Sequence, residues 1–400
     1  MERIQRPLVL LILMSIAMPL AFNVWNAMLN NFVVERANFG GIEIGVLQSL
    51  REVPGFLAFT TVFVLLILKE LSFAVLALAL LGLGVALTGF FPTEYGLYFT
   101  TVLMSIGFHY FEAVKQSLSL QWFSIEEAPQ MLGRLLAVGS ITSLTVYGLL
   151  WCSVNLFEVD YLWNFLTAGV LCCCLAAFMW LAFPIFSETV PQNKGLILRR
   201  RYWLYYALTF FSGARRQIFV VFAAFMMVEK FGFQVHQLTA LFLINLVINI
   251  FAAPLFGYFI AHFGERRALL IEYAGLICVF LAYGGIYLFD WGVVLAAMLF
   301  ILDHLFFGLR IALKTYFQKI SSPEDIAPTA AVALSINHIA AIFLPVLLGL
   351  LWLISPAIVF MVAAFLAFLS FLLALLVPKL PIDGNETLMM SELIRIRNRE

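Results

Sequence analysis

Twelve apolar runs follow one another along this chain, separated by short polar breaks: roughly 7–33, 42–68, 71–91, 95–122, 132–155, 161–184, 202–228, 237–260, 267–289, 291–317, 327–353 and 356–378. A helix needs ~20 mainly apolar residues to cross the hydrocarbon of a bilayer. Hydrocarbon offers the backbone no hydrogen bonds, so a segment that crosses it must satisfy its own N–H and C=O groups, as a helix does. The runs therefore specify an all-α integral membrane protein. Residues are 64% hydrophobic and 12% charged, which excludes a soluble domain, and zero net charge excludes a general pull on nucleic acid.

The longest connection, "SETVPQNKGLILRRR", divides the runs six and six. The expected organisation is an N-terminal six-helix bundle (1–184), a cytoplasmic linker (185–201), a C-terminal six-helix bundle (202–378) and a cytoplasmic tail (379–400). Sixteen lysines and arginines fall in one set of loops and tails, and only Arg36 and Lys230 in the other. That asymmetry puts both termini in the cytoplasm, and a bacterial inner membrane is the expected location. The basic start and first long run lack a small-residue cleavage site, so the run is read as a retained helix. The five cysteines show no CxxC spacing, and no metal, disulfide or cofactor is expected.

The two halves resemble each other. "HYFEAVK" (109–115) aligns with "HLFFGLR" (304–310) at a constant offset of 195 residues, pairing His109 with His304 and Lys115 with Arg310. Runs five and eleven both end in "GLLW", and runs one and seven in "VVER" and "MVEK". The common order argues for a duplicated six-helix unit, an arrangement that places a substrate path at the repeat interface.

The loop after run eight reads "GYFIAHFGERR". It resembles the cytoplasmic signature of the major facilitator superfamily, with Gly257, Gly264, Arg266 and Arg267 at matching positions, Ala261 where the acidic residue belongs and His262 at the following basic position. The equivalent first-half loop, "LKELS", lacks the signature, and run five has no proline where the drug/proton antiporters of that family carry a proline-glycine motif. The resemblance implies twelve transmembrane helices as two six-helix bundles, alternating access, and a cavity lined by spans one, four, seven and ten. It also makes Gly257, Gly264, Arg266 and Arg267 a conformational latch, where the plainer reading is a set of topology-determining basic residues.

Charges inside spans are costly, ~2.5–3.5 kcal/mol at the bilayer centre on insertion scales, and normally face protein or water. At ~100° per residue, Ser105, His109, Glu112, Lys115, Gln116 and Ser119 share one face of span four. Span one adds Asn23 and Asn26, span two Glu52, span seven Arg215 and Arg216, span ten Asp303, His304 and Arg310, and span eleven Asn337 and His338. Asn23, Asn26, His109, Lys115, Arg215, Arg216, His304, Arg310, Asn337 and His338 are the candidate substrate contacts. Glu52, Glu112 and Asp303 are the candidate proton carriers. The competing reading makes Glu112 with Lys115, or Asp303 with Arg216, ion pairs that only hold the bundle. Glu272 is expected to pair with loop arginines.

Cations outnumber acids in this set, so the expected function is a secondary transporter of a small organic or phosphorylated anion, with proton coupling left open. Proton-linked efflux of amphipathic drugs or metabolites is the alternative, and a non-transporting polytopic membrane protein the second. No Walker loop, HExxH or paired aspartates at a membrane face appear, so the chain is not read as an enzyme. A monomer in the lipid bilayer is expected.

Overall fold

The computed structural model describes residues 6–39, 41–184, 186, 192–193, 195–233 and 235–388. Its helices are α1 (Pro7–Ala37), α2 (Gly41–Phe56), α3 (Thr61–Val64), α4 (Glu70–Thr88), α5 (Glu94–Trp122), α6 (Ala128–Asn155), α7 (Tyr161–Ala182), α8 (Trp203–Gln217), α9 (Ala224–Glu229), α10 (Val235–Phe263), α11 (Glu265–Leu288), α12 (Val293–Gly308), α13 (Ile311–Ile320), α14 (Ile326–Ile354) and α15 (Pro356–Leu375). Among the described residues the sole β feature is an isolated bridge, Ile382 to Asn385.

Among the described residues, ten helical stretches are long and apolar enough to cross a membrane, and they coincide with ten of the twelve spans. The other two have readable causes. α5 has 29 residues, ample length, but its polar face lowers its hydropathy. Span two is interrupted. Pro54 lies inside α2, where it removes a backbone donor and crowds the preceding turn. Three residues on, the chain tightens into a 3₁₀ turn, Leu57–Thr60, before α3. The backbone groups loosened there find side chains: Phe59 N–H donates to Ser335 Oγ at 2.8 Å, and Thr60 Oγ1 donates to the Leu57 carbonyl at 2.8 Å.

Spans seven and ten, read as continuous, are also broken. Between α8 and α9 the chain widens into a π-helical segment, Ile218–Ala223. Between α12 and α13 the bonds shorten to three-residue spacing, Leu309 N to Phe306 O and Arg310 N to Phe307 O. The break follows Gly308, a weak helix former. Discontinuous helices and π-bulges in membrane proteins concentrate where side chains must be aimed at a ligand or an ion.

The chain divides into two compact units. Unit 1 comprises Met1–Trp122, Val138–Ile197 and Glu324–Ser335; unit 2 comprises Phe123–Ala137, Leu198–Pro323 and Ile336–Glu400. In unit 1, α4 packs along α5 and α7. The α4–α5 seam is close enough that a Cβ on Gly107 would stand 2.2 Å from the Leu81 backbone nitrogen. Gly107→Ala must push α4 and α5 apart and is expected to cost about 1–3 kcal/mol, read as a lower midpoint in thermal unfolding of the detergent-solubilised protein. The linker is tied within the same unit: Asn193 Nδ2 donates to Asp325 Oδ1 at 2.8 Å, and Gln192 Oε1 accepts from Ala327 N–H at 3.0 Å, capping α14.

In unit 2, α11 packs on α15 and α12. A ring-rich core surrounds Phe222, Phe280, Phe300, Trp352 and Phe360. The beginning of the tail folds back on this unit. Arg201 pairs with Asp383 and, at 3.5 Å, with Glu386, while Tyr316 donates to the Glu386 carbonyl at 2.6 Å. The tail beyond residue 388 lies outside the described residues.

Candidate functional site

In unit 1 the polar face of α5 is real and unevenly satisfied. His109 is 4% exposed, with Nδ1 3.0 Å from both the hydroxyl and the carbonyl of Ser105 one turn earlier. Ser105 in turn donates to the Arg51 carbonyl on α2. Glu52 accepts from Arg51, its neighbour in sequence, at 2.7 Å. Asn23 donates to Ser143 on α6 at 2.7 Å, a link between helices, and Asn26 hydrogen-bonds Tyr147 on the same helix.

Lys115 differs from these. It is only partly buried, and its ammonium lies 6.0 Å from the centre of the Phe111 ring. Among the described residues it has no ion-pair partner. Glu112, three residues earlier on the same helix, acts on it through space without forming an ion pair. The intrahelical pair expected as the bland alternative is therefore not formed.

Unit 2 treats its cations in the opposite way. Arg215 is 1% exposed and engaged by protein through both of its Nη atoms, while its Nε has no hydrogen-bond partner among the described residues. Its Nη2 lies 3.3 Å from Glu272 Oε1, its Nη1 donates to Ser370 Oγ on α15, and its guanidinium stacks 4.3 Å from the centre of the Tyr273 ring. Asp303 of α12, 2% exposed, is the second acid that feels this charge. Glu272 contacts this guanidinium, Asp303 feels it through space, and Arg310 also acts on Glu272. Glu272 was expected beside the loop arginines; it lies seven residues into α11, two turns from that loop, and faces α8. Arg215, not Arg216, is the arginine coupled to Asp303. Arg216 is partly exposed, at the threshold of the π-helical segment.

Arg310 sits in the break between α12 and α13, its guanidinium 4.6 Å from the Phe307 ring centre. His304 Nε2 is 2.9 Å from Asn249 Nδ2 of α10. Asn337 donates to the Thr209 carbonyl on α8 at 3.2 Å, and His338 is 3% exposed.

The candidate latch has a different centre from the one the signature suggests. Gly257 packs within unit 2 against the start of α6, where a Cβ would meet the Pro129 carbonyl at 2.4 Å. Gly264 takes φ +83°, a left-handed turn that ends α10 and opens α11. The next residue, Glu265, is 1% exposed and pairs with Lys319 at 2.8 Å, whereas Arg266 and Arg267 have no ion-pair partner among the described residues. Unit 1 carries the equivalent device in "LKELS". Glu70, 7% exposed and also the first residue of its helix, accepts from Ser117 at 3.0 Å and Gln121 at 2.7 Å on α5. In both units a carboxylate at a helix N-terminus, where the helix dipole favours it, ties one span to the next. Glu70 and Glu265 are separated by the same 195 residues as the two histidines. The repeat offset, applied to the loops, would have found them.

The Major Facilitator Superfamily model matches residues 8–327. No curated protein matches the sequence. Among solved structures, the human organic anion transporter MFSD10 (TETRAN) is similar at a TM-score of 0.75 and 14% identity, covering 92% of this chain and 98% of that one. FucP in the outward conformation is similar at 0.74 and 12%, with 92% and 98% covered. The proton:xylose symporter XylE bound to 6-bromo-6-deoxy-D-glucose is similar at 0.74 and 11%, with 97% and 98% covered. Twelve spans, a duplicated charge pattern and a family match over four-fifths of the length agree, and this chain belongs to the Major Facilitator Superfamily of membrane transporters.

Proposed function

We propose that this protein is a secondary transporter that carries a small organic or phosphorylated anion by alternating access. The observation that carries this reading is Lys115. A partly buried ammonium three-quarters of the way along α5, with no carboxylate within ion-pair distance among the described residues, is unfavourable until an anion neutralises it. A carboxylate or phosphate supplies a charge-assisted hydrogen bond there. Arg310, partly buried at the interruption of span ten, is the second cation assigned to the anion. Arg215 is assigned a different part, because its guanidinium is already engaged. The similarity to MFSD10, an organic anion transporter, is in keeping with this assignment.

Proton coupling has its own support in unit 2. Glu272, Asp303 and Arg215 lie together in a fully buried setting, and Arg310 acts on Glu272 from the break in span ten. A buried carboxylate with no ion-pair contact is costly to hold charged, and a bound proton removes that cost. Asp303, which is not in ion-pair contact with Arg215, is the assigned proton carrier. Glu52 and Glu112 take no part in this group. The excess of basic residues on one side supports cytoplasmic termini in a bacterial inner membrane, and a monomer is the proposed working form.

The test is uptake by purified protein in liposomes, using labelled succinate and glycerol 3-phosphate beside the cation ethidium, with and without an imposed pH gradient. Uptake of an anion but not of ethidium is expected. The gradient is expected to change the rate in the wild type and to have no effect in Asp303→Asn. Transport of ethidium alone would reject the anion reading, and a wild-type rate indifferent to the gradient would reject coupling.

A further inference from the structure

Asn245 takes no part in anything described so far, yet it is the least satisfied polar group in α10. It is 2% exposed, and neither its amide nitrogen nor its amide oxygen has a hydrogen-bond partner among the described residues. One turn further on, Asn249 is 8% exposed; its nitrogen meets His304 and its oxygen is unpartnered among the described residues. Residues four apart lie on one helix face.

That face is turned to α12. Three residues before Asn245, Phe242 packs edge-on against Phe300 at 5.4 Å between ring centres. Four residues after it, Asn249 reaches His304. Asn245 is thus bracketed by two contacts with the same turn of α12, from Phe300 to His304. A third wall comes from the π-helical segment of span seven: Phe219 lies 4.8 Å from Phe300 and 5.9 Å from His304, centre to centre. An extra residue in a helical turn re-aims the side chains around it, which is why such turns gather at functional sites.

A buried amide with both ends unmet is rare in folded proteins and calls for an explanation. The surroundings supply one. We propose that Asn245, Asn249 and His304, enclosed by Phe219, Phe242 and Phe300, form a subsite for an uncharged hydrogen-bonding group of the transported solute, a hydroxyl pair or a carboxamide on an apolar or cyclic carbon frame. Asn245 presents a donor and an acceptor side by side, and Asn249 one further open atom. A diol or amide answers both kinds, whereas a carboxylate has acceptors only and leaves the amide oxygens unmet. The neighbouring acid, Asp303, is about 100° around α12 from His304 and belongs to the Arg215 group. The three rings make the surroundings apolar, which suits a carbon frame. The proposal rests on the transport reading but not on the anion reading, since Lys115 lies in the other unit.

The experiment is a thermal-unfolding titration of the full chain in detergent with four probes: D-glucitol and nicotinamide, both neutral; D-gluconate, an acid with hydroxyls; and hexanoate, an acid without them. At least one of the first three is expected to stabilise the wild type. Asn245→Leu removes the unmet amide and is expected to raise the ligand-free midpoint by about 2–4 °C. It should also weaken the response to the hydroxyl- or amide-bearing probes about tenfold, the worth of one hydrogen bond, and leave hexanoate unchanged. A lower ligand-free midpoint in Asn245→Leu would show that the amide has a structural partner and would overturn the proposal. So would probe responses equal to those of the wild type, or a wild type that none of the three stabilises. Failure of the transport reading is distinguishable, because liposome uptake would be absent while these binding responses persisted.

Discussion

Arg215→Ala is expected to lower the thermal midpoint more than any other single charge removal in unit 2. The side chain is 1% exposed, paired with Glu272 at 3.3 Å, bonded to Ser370 and stacked on Tyr273. It joins α8, α11 and α15 at one point, and its charge reaches Asp303 on α12. Truncation strips Glu272 of its ion-pair partner and Asp303 of the cation that acts on it. Removing one partner of a buried pair costs about 3–5 kcal/mol, and at about 2–4 °C per kcal/mol the midpoint should fall by about 6–20 °C. Part of that loss is packing, because the guanidinium also fills space over Tyr273. Two further variants separate the contributions. Arg215→Met keeps most of the volume and should still lose most of the stability. Adding Glu272→Gln and Asp303→Asn to it removes the stranded charges and should recover most of the loss. If Arg215→Ala unfolds at the wild-type temperature, or the triple variant is no better than Arg215→Met, the buried triad is not what secures these helices.

The fold was legible because lipid leaves so few options. Each apolar run had to be a helix, and twelve runs in two similar sets left little choice of architecture. The interruptions were legible only in part. Pro54 announces the break in span two through its missing donor, and the 3₁₀ turn begins three residues later. Nothing in "QIFVVFA" announces a π-helical segment, which depends on what the turn packs against. Gly308 permits a break in span ten without requiring one. The charges show the same limit more sharply. Periodicity tells which side chains share one face of a helix, as Ser105, His109 and Lys115 do, but not how that helix is rotated in its bundle. For that reason Arg215 and Lys115 read alike in the sequence, although one is enclosed by acids and the other is not. Glu272 was misassigned because its depth was measured from the loop arginines, while its partner came from a helix more than fifty residues earlier. Asn245 and Asn249 lay outside the charged set altogether, and only the surroundings of their amides single them out.

That contrast between two cations makes the second large effect specific in sign. Lys115→Met is expected to leave the protein as stable as the wild type or more so, because the ammonium has no carboxylate within ion-pair distance among the described residues and methionine suits a membrane helix better. The same substitution should nearly abolish anion uptake. A hydrogen bond to a charged group contributes about 1.5–3 kcal/mol, which corresponds to a fall of about 10- to 150-fold in the uptake rate at low substrate. Lys115→Arg keeps the charge but changes its shape and reach, and should retain an intermediate rate. Uptake and thermal midpoint measured on the same preparations therefore move in opposite directions at Lys115 and together at Arg215. A midpoint for Lys115→Met that falls as far as that of Arg215→Ala would show that the ammonium is held by protein after all. The anion reading would then lose the group on which it rests, while the buried triad and the Asn245 subsite, both in unit 2, would stand or fall on their own tests.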